Sequence, residues 1–216
     1  MSDYLHRLPP ALRRLGDWRK GEIEIVDSPA LPGADADAFG VLYEDPYFLV
    51  VRDAVRHPDG RLGAYVRIIE RGELSGCAGT VILPLAGERL GFVRLYRHAM
   101  RDWRWELPRG MQASGLTPEQ NARQELQEEM GLVADSCRYL GRVESNTGFL
   151  SASIQVFLAK LPAESAQRTC PSLAEAIAET RFVHLADLPT FLAEHVVCGI
   201  TLSAICLAQK HWLTPP

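Results

Sequence analysis

The sequence predicts an α+β protein, an α/β/α sandwich in which a mixed sheet lies between a few helices, preceded by a small antiparallel β unit. Two observations favour this class. Short strand-like runs bounded by turn residues outnumber helical patterns along the chain. One helix with clear signals at both ends interrupts these runs, and two more helical patterns close the sequence. We expect an N-terminal β extension over residues 1–72, which is a candidate dimer-forming element, and the main domain over residues 73–216.

The composition is that of an ordinary globular protein. The 216 residues are 47% hydrophobic and 23% charged, with a formal net charge of −4. This balance allows a sizeable core and argues against a general nucleic-acid binder, which needs clustered positive charge. The five cysteines are scattered without a CxxC pair, which indicates reduced thiols. Because no signal-peptide pattern or membrane-spanning apolar run is visible, we expect a cytoplasmic protein without a membrane partner.

The first region is predicted to form short antiparallel strands. Residues 29–38 are small and polar and include Pro and Gly, which is typical of a loop. Strand-like runs follow at residues 39–43, 47–55 and 62–70. The last two flank residues 57–60 (HPDG), whose Pro and Gly suit a hairpin turn.

Three more runs lead to the central helix. Residues 77–85 are almost continuously apolar, as in a strand that is buried on both faces. Residues 91–96 form a second strand-like run, and residues 105–107 form a short strand that Pro108 ends.

The central helix is predicted from its end signals. Thr117 is a favourable N-cap, Pro118 suits the first helical position, and Gln120 completes a capping box. Gly131 suits the residue after the helix. One narrow stripe of the helix is expected to be buried, and it consists of Ala122, Leu126 and Met130.

The C-terminal third is predicted to return to strands and then to end in helices. Strands are expected at residues 136–143, 152–158 and 180–185. A helix should begin near residue 187, and another should run from about 199 to 211. The last helix is apolar on most sides, so we expect it to pack on the sheet.

The central helix carries a group of carboxylates. Glu125, Glu128 and Glu129 are three or four positions apart and therefore share one face. Taken alone, this pattern is more often a solvated acidic face. A magnesium ion would relieve the repulsion between the carboxylates, because it takes one or two of them together with waters and phosphates. Gly110, which follows a strand and precedes the helix, would let the backbone approach a phosphate or a metal closely.

This segment resembles the conserved box of the Nudix hydrolases. The lead-in at residues 105–110 (WELPRG) is similar to that of the ADP-ribose pyrophosphatase branch. The positions that match the box are Gly110, Glu125, Leu126, Glu128, Glu129, Gly131 and Leu132. Two positions depart from it, because Leu116 and Gln124 stand where the family has Glu and Arg. In the family these two residues form a pair that positions the helix, so their joint loss implies either a different support for the site or a weakened or lost activity.

The resemblance implies a metal site and a catalytic carboxylate. Glu125 and Glu129 would be the main Mg²⁺ ligands, with Glu128 beside them and the carbonyl of Arg109 as a further ligand; Mn²⁺ is the alternative ion. Glu125 would thereby be catalytic. A second catalytic Glu from a later loop would assist the attacking water, and Glu175 matches that place better than its rival Glu179.

Other residues are candidates for substrate binding. Arg94 and Arg97 have the side chain that suits phosphate recognition, with a surface salt bridge as the equal alternative for each. Glu106 either binds a base or ribose or is a satisfied residue at the sheet edge, and Gly110 would lie against the diphosphate. Aromatic residues that could stack on adenine, with core or interface packing as the alternative, are Trp103, Trp105 and Phe149.

The leading hypothesis is a Mg²⁺-dependent hydrolase that cleaves a small nucleoside diphosphate sugar, with ADP-ribose as the best candidate, to give AMP and ribose 5-phosphate. One alternative is hydrolysis of another nucleotide sugar or a dinucleotide. A second is a weakened Nudix domain that binds a nucleotide as a sensor. The N-terminal strands resemble those that this branch exchanges between subunits, so we expect a homodimer.

Overall fold

The computed structural model describes residues 4–27, 38–167 and 176–212. Its internal contacts divide the chain into two units. The first unit extends to Ala78 and also includes Asn146–Ala152. The second comprises Gly79–Ser145 and the chain from Ser153 onward. The boundary predicted between residues 72 and 73 stays a prediction; the contact-based limit lies slightly later and gives a short later segment to the first unit.

The first unit is a twisted sheet of five strands. Their bounds are β1 Glu24–Ile25, β2 Gly40–Glu44, β3 Phe48–Arg56, β4 Leu62–Glu70 and β10 Leu150–Ser151. The order is β1-β3-β4-β10, and β2 also pairs with β3. Only the β4–β10 pairing is parallel among these. The turn expected at residues 57–60 joins β3 to β4, and the amide of Gly60 donates to the carbonyl of His57.

The N-terminal segment packs against this sheet. Its apolar side chains Tyr4, Leu5 and Leu8 form a cluster with Leu49, Val51 and Ile69. A buried polar group anchors the same segment: Tyr4 donates its hydroxyl hydrogen to Asp53, and Nε of Arg67 donates to the other Asp53 oxygen at 2.7 Å. Burial, followed by the hydrogen bond to Asp53, raises the pKa of Tyr4 well above its usual range. The polar group is therefore satisfied internally, as buried charges must be.

The second unit contains a mixed sheet of seven strands. The strands are β5 Gly79–Ala86, β6 Arg89–Arg97, β7 Asp102–Glu106, β8 Arg109–Met111, β9 Ser136–Glu144, β11 Ser153–Leu161 and β12 Ile177–His184. The helices are α1 Pro118–Met130, α2 Leu188–His195 and α3 Gly199–Trp212. The order β12-β6-β5-β11-β9 is extended by β7 on β6 and by β8 on β5. The β5–β11 pairing is parallel, whereas β5 and β6 are antiparallel, so the sheet is mixed as predicted.

Helices cover both faces of this sheet. On one face, Phe92 and Trp105 pack with Phe191 of α2 and Ala204 of α3. On the other face, side chains such as Ile82 and Val93 pack with the apolar stripe of α1. The predicted α/β/α sandwich is thereby confirmed. Among the described residues, no helix has the length and apolar character needed to cross a lipid bilayer.

Candidate functional site

The chain changes its pairing partner from β6 to β5 between β7 and β8. We call residues 109–116, which follow this change and lead to α1, the glycine loop. Glu106, the last residue of β7, pairs with Val93 of β6, whereas Arg109, the first residue of β8, pairs with Val81 of β5. The intervening backbone is satisfied, because the amide of Leu107 donates to the hydroxyl of Thr201 at 3.1 Å and the carbonyl of Pro108 accepts from Ile82 at 2.9 Å. Since successive carbonyls in a strand point in opposite directions, the Arg109 carbonyl points away from β5.

Helix α1 has the ends that its sequence predicts. The hydroxyl of Thr117 accepts from the amide of Gln120, and the Gln120 side chain accepts from the amide of Thr117, which completes the capping box. Gly131 ends the helix in the left-handed conformation, with φ of 64°. Ala122, Leu126 and Met130 are buried as expected. The sheet therefore fixes which side of α1 faces inward.

The three candidate carboxylates have different environments. Glu129 is buried, with 5% of its surface exposed, Glu125 is half-buried, and Glu128 is exposed. Oε1 of Glu128 accepts from the side-chain amide of Gln124 at 2.8 Å. The helical spacing predicts that the three carboxylates share one face. The packing of α1 against the sheet then buries Glu129 most, Glu125 less and Glu128 least.

Glu125 lies directly against Gly110. An added Cβ at residue 110 would overlap the carboxylate of Glu125, both oxygens included. The backbone at Gly110 thus lies against the carboxylate on the helix, in the position that this carboxylate has in the structure, because glycine has no Cβ there. The structure therefore brings Gly110 and Glu125, both predicted site residues, together.

Glu106 is held by two arginines. Arg97 donates to both of its oxygens, at 3.1 and 2.7 Å, and Nε of Arg109 donates to Oε2 at 3.0 Å. Burial alone would raise the pKa of Glu106, but the hydrogen bonds and charges of the two arginines outweigh burial and lower this pKa. The carboxylate is therefore ionised and bound within the protein.

Arg97 connects this ion pair to the helix. Burial disfavours its charge, but its pKa is raised overall, first by Glu106 and further by the negative charge of Glu129. Arg97, Glu106 and Glu129 therefore form one charged group on the α1 face of the sheet.

Arg94 lies on the other face. The side chains of a strand alternate, so Arg94 shares the side of Phe92, which packs with α2, rather than the side of Arg97. Its guanidinium lies over Trp103, 5.6 Å from the ring centroid. The structure does not bring Arg94 to the carboxylates of α1.

Two of the remaining candidates, Trp105 and Glu179, contact Arg181. Trp105 is buried and has Arg181 over its ring, and Glu179 pairs with the same Arg181 at 2.7 Å. Phe149 belongs to the first unit. Glu175 lies outside the described residues.

The oxygen atoms available at this site suit a divalent ion that takes its remaining ligands from water and substrate. Within residues 4–27, 38–167 and 176–212, no three His, Cys, Asp or Glu side chains converge as a ready-made metal cage. Glu125 and Glu129 offer hard oxygen donors, and the outward carbonyl of Arg109 adds a third on the neighbouring loop. Magnesium usually binds one or two carboxylates and takes waters and substrate phosphates for the rest, which matches this donor set.

The sequence pattern does not reveal the polar residues that join the loop to the helix. Asn121 is 1% exposed and bonds both Thr80 and the amide of Ala113. The sequence offers one signal for it, a short amide beside the buried Ala122 in the first turns of a helix. Thr80 and Thr201, both fully buried, give no such signal.

Comparisons with known proteins agree with this architecture. A sequence model described as the NUDIX domain matches residues 78–197. The ADP-ribose pyrophosphatase of Mycobacterium tuberculosis is 34% identical over 119 residues, which make up 55% of this chain and 55% of that protein. The match therefore spans about half of the length of this relative. A crystal structure of an ADP compounds hydrolase superposes with a TM-score of 0.60 at 17% identity, covering 80% of this chain and 90% of that one, a likeness of fold.

Proposed function

The chain belongs to the Nudix hydrolase family, and from this premise we propose that it hydrolyses the diphosphate bond of a nucleoside diphosphate sugar. ADP-ribose is the preferred candidate, with AMP and ribose 5-phosphate as products. The M. tuberculosis relative is named for cleavage of ADP-ribose, and this likeness supports the choice of substrate. The observation that carries the proposal is the contact of the Glu125 carboxylate with the backbone of Gly110.

Members of this family generally use divalent metal ions, and we propose Mg²⁺, with Mn²⁺ as a substitute. Glu125, Glu129 and the carbonyl of Arg109 would hold the ion, with Glu128 on the solvent side. When bound, the ion would neutralise diphosphate charge and lower the pKa of an attacking water. Glu125 is the proposed catalytic carboxylate at this position, and Glu175 is the proposed second one.

The arginines have separate tasks in this proposal. Arg97 is partly exposed, and Glu106 does not engage all of its N–H donors, so it is suited to bind a phosphate oxygen. Glu106 holds the guanidinium in place and has its own charge compensated. Arg94 lies on the other face, beside Trp103, so its proposed substrate role is the less supported of the two.

A cytoplasmic location and a homodimer complete the proposal. The described cysteines, Cys77, Cys137, Cys198 and Cys206, are free thiols, which suits a reducing compartment. Strand β2 supports the dimer, since it pairs with β3 alone among the described strands and exposes Val41, Leu42 and Tyr43. Retention of the thiols in a thiol-labelling assay on protein taken from cells would test the location.

The activity can be tested directly. The purified protein would be incubated with Mg²⁺ and a panel of nucleoside diphosphate sugars and dinucleotides, and the phosphate made accessible to phosphatase would be measured. We expect turnover with ADP-ribose, and a loss of about 100-fold or more in Glu129→Gln, because a buried ligand charge is removed. Glu119→Gln is the matched control, since Glu119 is exposed on the same helix and pairs with Arg123.

The outcomes separate the competing functions. Turnover of another nucleotide sugar or a dinucleotide, but not of ADP-ribose, would keep the reaction and change the substrate. Saturable nucleotide binding by calorimetry without any turnover would replace the hydrolase with a sensor, the function that the departures at Leu116 and Gln124 keep open. Unchanged activity in Glu129→Gln would remove Glu129 from the metal site.

A further inference from the structure

A buried amide joins three elements around the glycine loop. Asn121, in the first turns of α1, donates from Nδ2 to the hydroxyl of Thr80 on β5 at 2.9 Å. Its Oδ1 accepts from the backbone amide of Ala113 at 2.8 Å. Asn121 and Thr80 are 1% and 0% exposed, so water does not compete for these bonds. We call this set of bonds between Asn121, Thr80 and Ala113 the amide lock.

The loop itself has a second amide brace. Nε2 of Gln112 donates to the carbonyl of Ala113 at 3.0 Å and to that of Leu116 at 2.9 Å. The chain from β8 to the helix start is therefore held by side-chain amides at both ends. Both interactions are between neutral groups.

The amide lock lies next to the contact between loop and carboxylate. Thr80 is the cross-strand partner of Gly110, and Ala113 follows Gly110 in the same loop. Asn121 lies four residues before Glu125, so the two side chains project from the same side of α1. A bond from Asn121 to Thr80 consequently fixes the helix relative to the strand against which Gly110 is placed.

The contact depends on where α1 lies on the sheet. The Glu125 carboxylate fills the space of a missing Cβ at Gly110, so a shift of α1 along the sheet would move this carboxylate away from the Gly110 backbone. A misplacement of about 1 Å at a reacting centre can cost about 100-fold in rate. The lock connects α1 to both the strand and the loop.

Two nearby side chains, Leu116 and Gln124, do not perform this task. Leu116 is apolar and half-buried, and Gln124 is exposed and bonded to Glu128 on its own helix. Neither of these side chains ties α1 to β5 through a bond of its own.

We propose that Asn121, through Thr80 and Ala113, is the positioning residue that sets Glu125 against Gly110 for metal and diphosphate binding. This inference rests on the proposed function. It distinguishes the amide lock from a bond that only stabilises the fold, because a positioning residue affects metal affinity and kcat more than it affects KM.

The experiment compares Thr80→Val with Thr80→Ser. Valine has nearly the shape of threonine but leaves Nδ2 of Asn121 without its acceptor, whereas serine keeps the hydroxyl. In Thr80→Val we expect kcat to fall 10- to 100-fold, by about the factor that small misplacement produces. We also expect weaker Mn²⁺ binding in a titration followed by electron paramagnetic resonance, and little change in KM. Thr80→Ser should return both values to within about threefold of the unaltered protein.

A destabilised control isolates the positioning effect. Gln120→Ala removes the half of the capping box that binds the Thr117 amide and should weaken the start of α1, but it leaves the amide lock intact. It should lower the unfolding midpoint without changing kcat or Mn²⁺ affinity. Asn121→Ala adds a direct readout, because the amide hydrogen of Ala113 loses its acceptor and should exchange faster with deuterium.

The results distinguish the two claims. Normal kcat and Mn²⁺ affinity in Thr80→Val would overturn the positioning role while the proposed function stands. Equal losses in Thr80→Val and Gln120→Ala would also overturn it, since general destabilisation would then explain them. Absence of both turnover and Mn²⁺ binding in the unaltered protein would overturn the proposed function and the positioning role together.

Discussion

The important property of Gly110 is that it has no Cβ atom. Gly110→Ala would place a methyl group into the carboxylate of Glu125, so the Glu125 side chain would have to turn away from residue 110. We expect kcat to fall about 100-fold, the scale associated with small misplacements at a reacting centre. Steady-state kinetics with the preferred substrate would measure the loss. Gly199→Ala is the control, since its Cβ would meet nothing within 4 Å; equal activity in the two variants would contradict the importance of the contact.

At the scale of single residues, the sequence predicts well which residues belong to the candidate site. It predicts less well how buried each one is and with which residue it pairs. The spacing of Glu125, Glu128 and Glu129 predicts a common face, but their burial depends on how α1 rests on the sheet. Glu106 and Arg97 are both singled out by residue type. Their pairing depends on the register of β6 with β7, which residue type alone does not determine. The pairing of side chains on two neighbouring strands therefore has to be read from the structure.

Helix α3 is bonded to the segment just before Gly110, because the hydroxyl of Thr201 accepts from the buried amide of Leu107. Thr201→Val removes the acceptor of the Leu107 amide, which would then be buried and unsatisfied. The expected cost is about 1–3 kcal/mol in the free energy of unfolding, measured by denaturant titration. Thr201→Ser keeps the oxygen and should recover most of the loss. If serine and valine destabilised equally, the methyl group rather than the hydrogen bond would be responsible.

The elements that could be predicted are those with periodicity or end signals. Helix α1 begins after Thr117 and ends before Gly131 because the cap, the proline and the final glycine act locally. Strands β1 and β10 have two residues each and β8 has three, which is too short for any alternation to be recognised. They exist because a longer neighbouring strand offers its free edge, a tertiary effect.

At the scale of the whole molecule, the exposed edge of β2 predicts self-association. Val41, Leu42 and Tyr43 are 42%, 42% and 54% exposed, and among the described strands β2 pairs with β3 alone. An open apolar edge of this kind favours addition of another strand. Sedimentation velocity should detect a dimer, and Val41→Lys should shift it to the monomer because lysine disfavours edge pairing. Val133→Lys introduces the same charge at an exposed site in the second unit and should leave the dimer intact. A monomeric unaltered protein would contradict the proposed homodimer.

The sequence predicts the fold class more completely than it predicts how the chain divides into two units. The alternation of strands with few helices predicts the sandwich, and the structure confirms it. The assignment of residues 146–152 to the first unit has no local signal, since it depends on the parallel pairing of Leu150 and Ser151 with Ile68 and Ile69. Pairings so distant in sequence are set by the assembled sheet.

That pairing has a consequence for synthesis on the ribosome. The sheet of the first unit is complete only when β10 has been made, and β10 is translated after most strands of the second unit. The N-terminal strands must therefore persist as an incomplete sheet, with β4 open along one side, while the chain elongates. Since domains generally fold as units, N-terminal first, during translation, this interleaved order delays completion of the early unit. Until β10 is made, the open edge of β4 presents unpaired backbone groups that favour association with other chains.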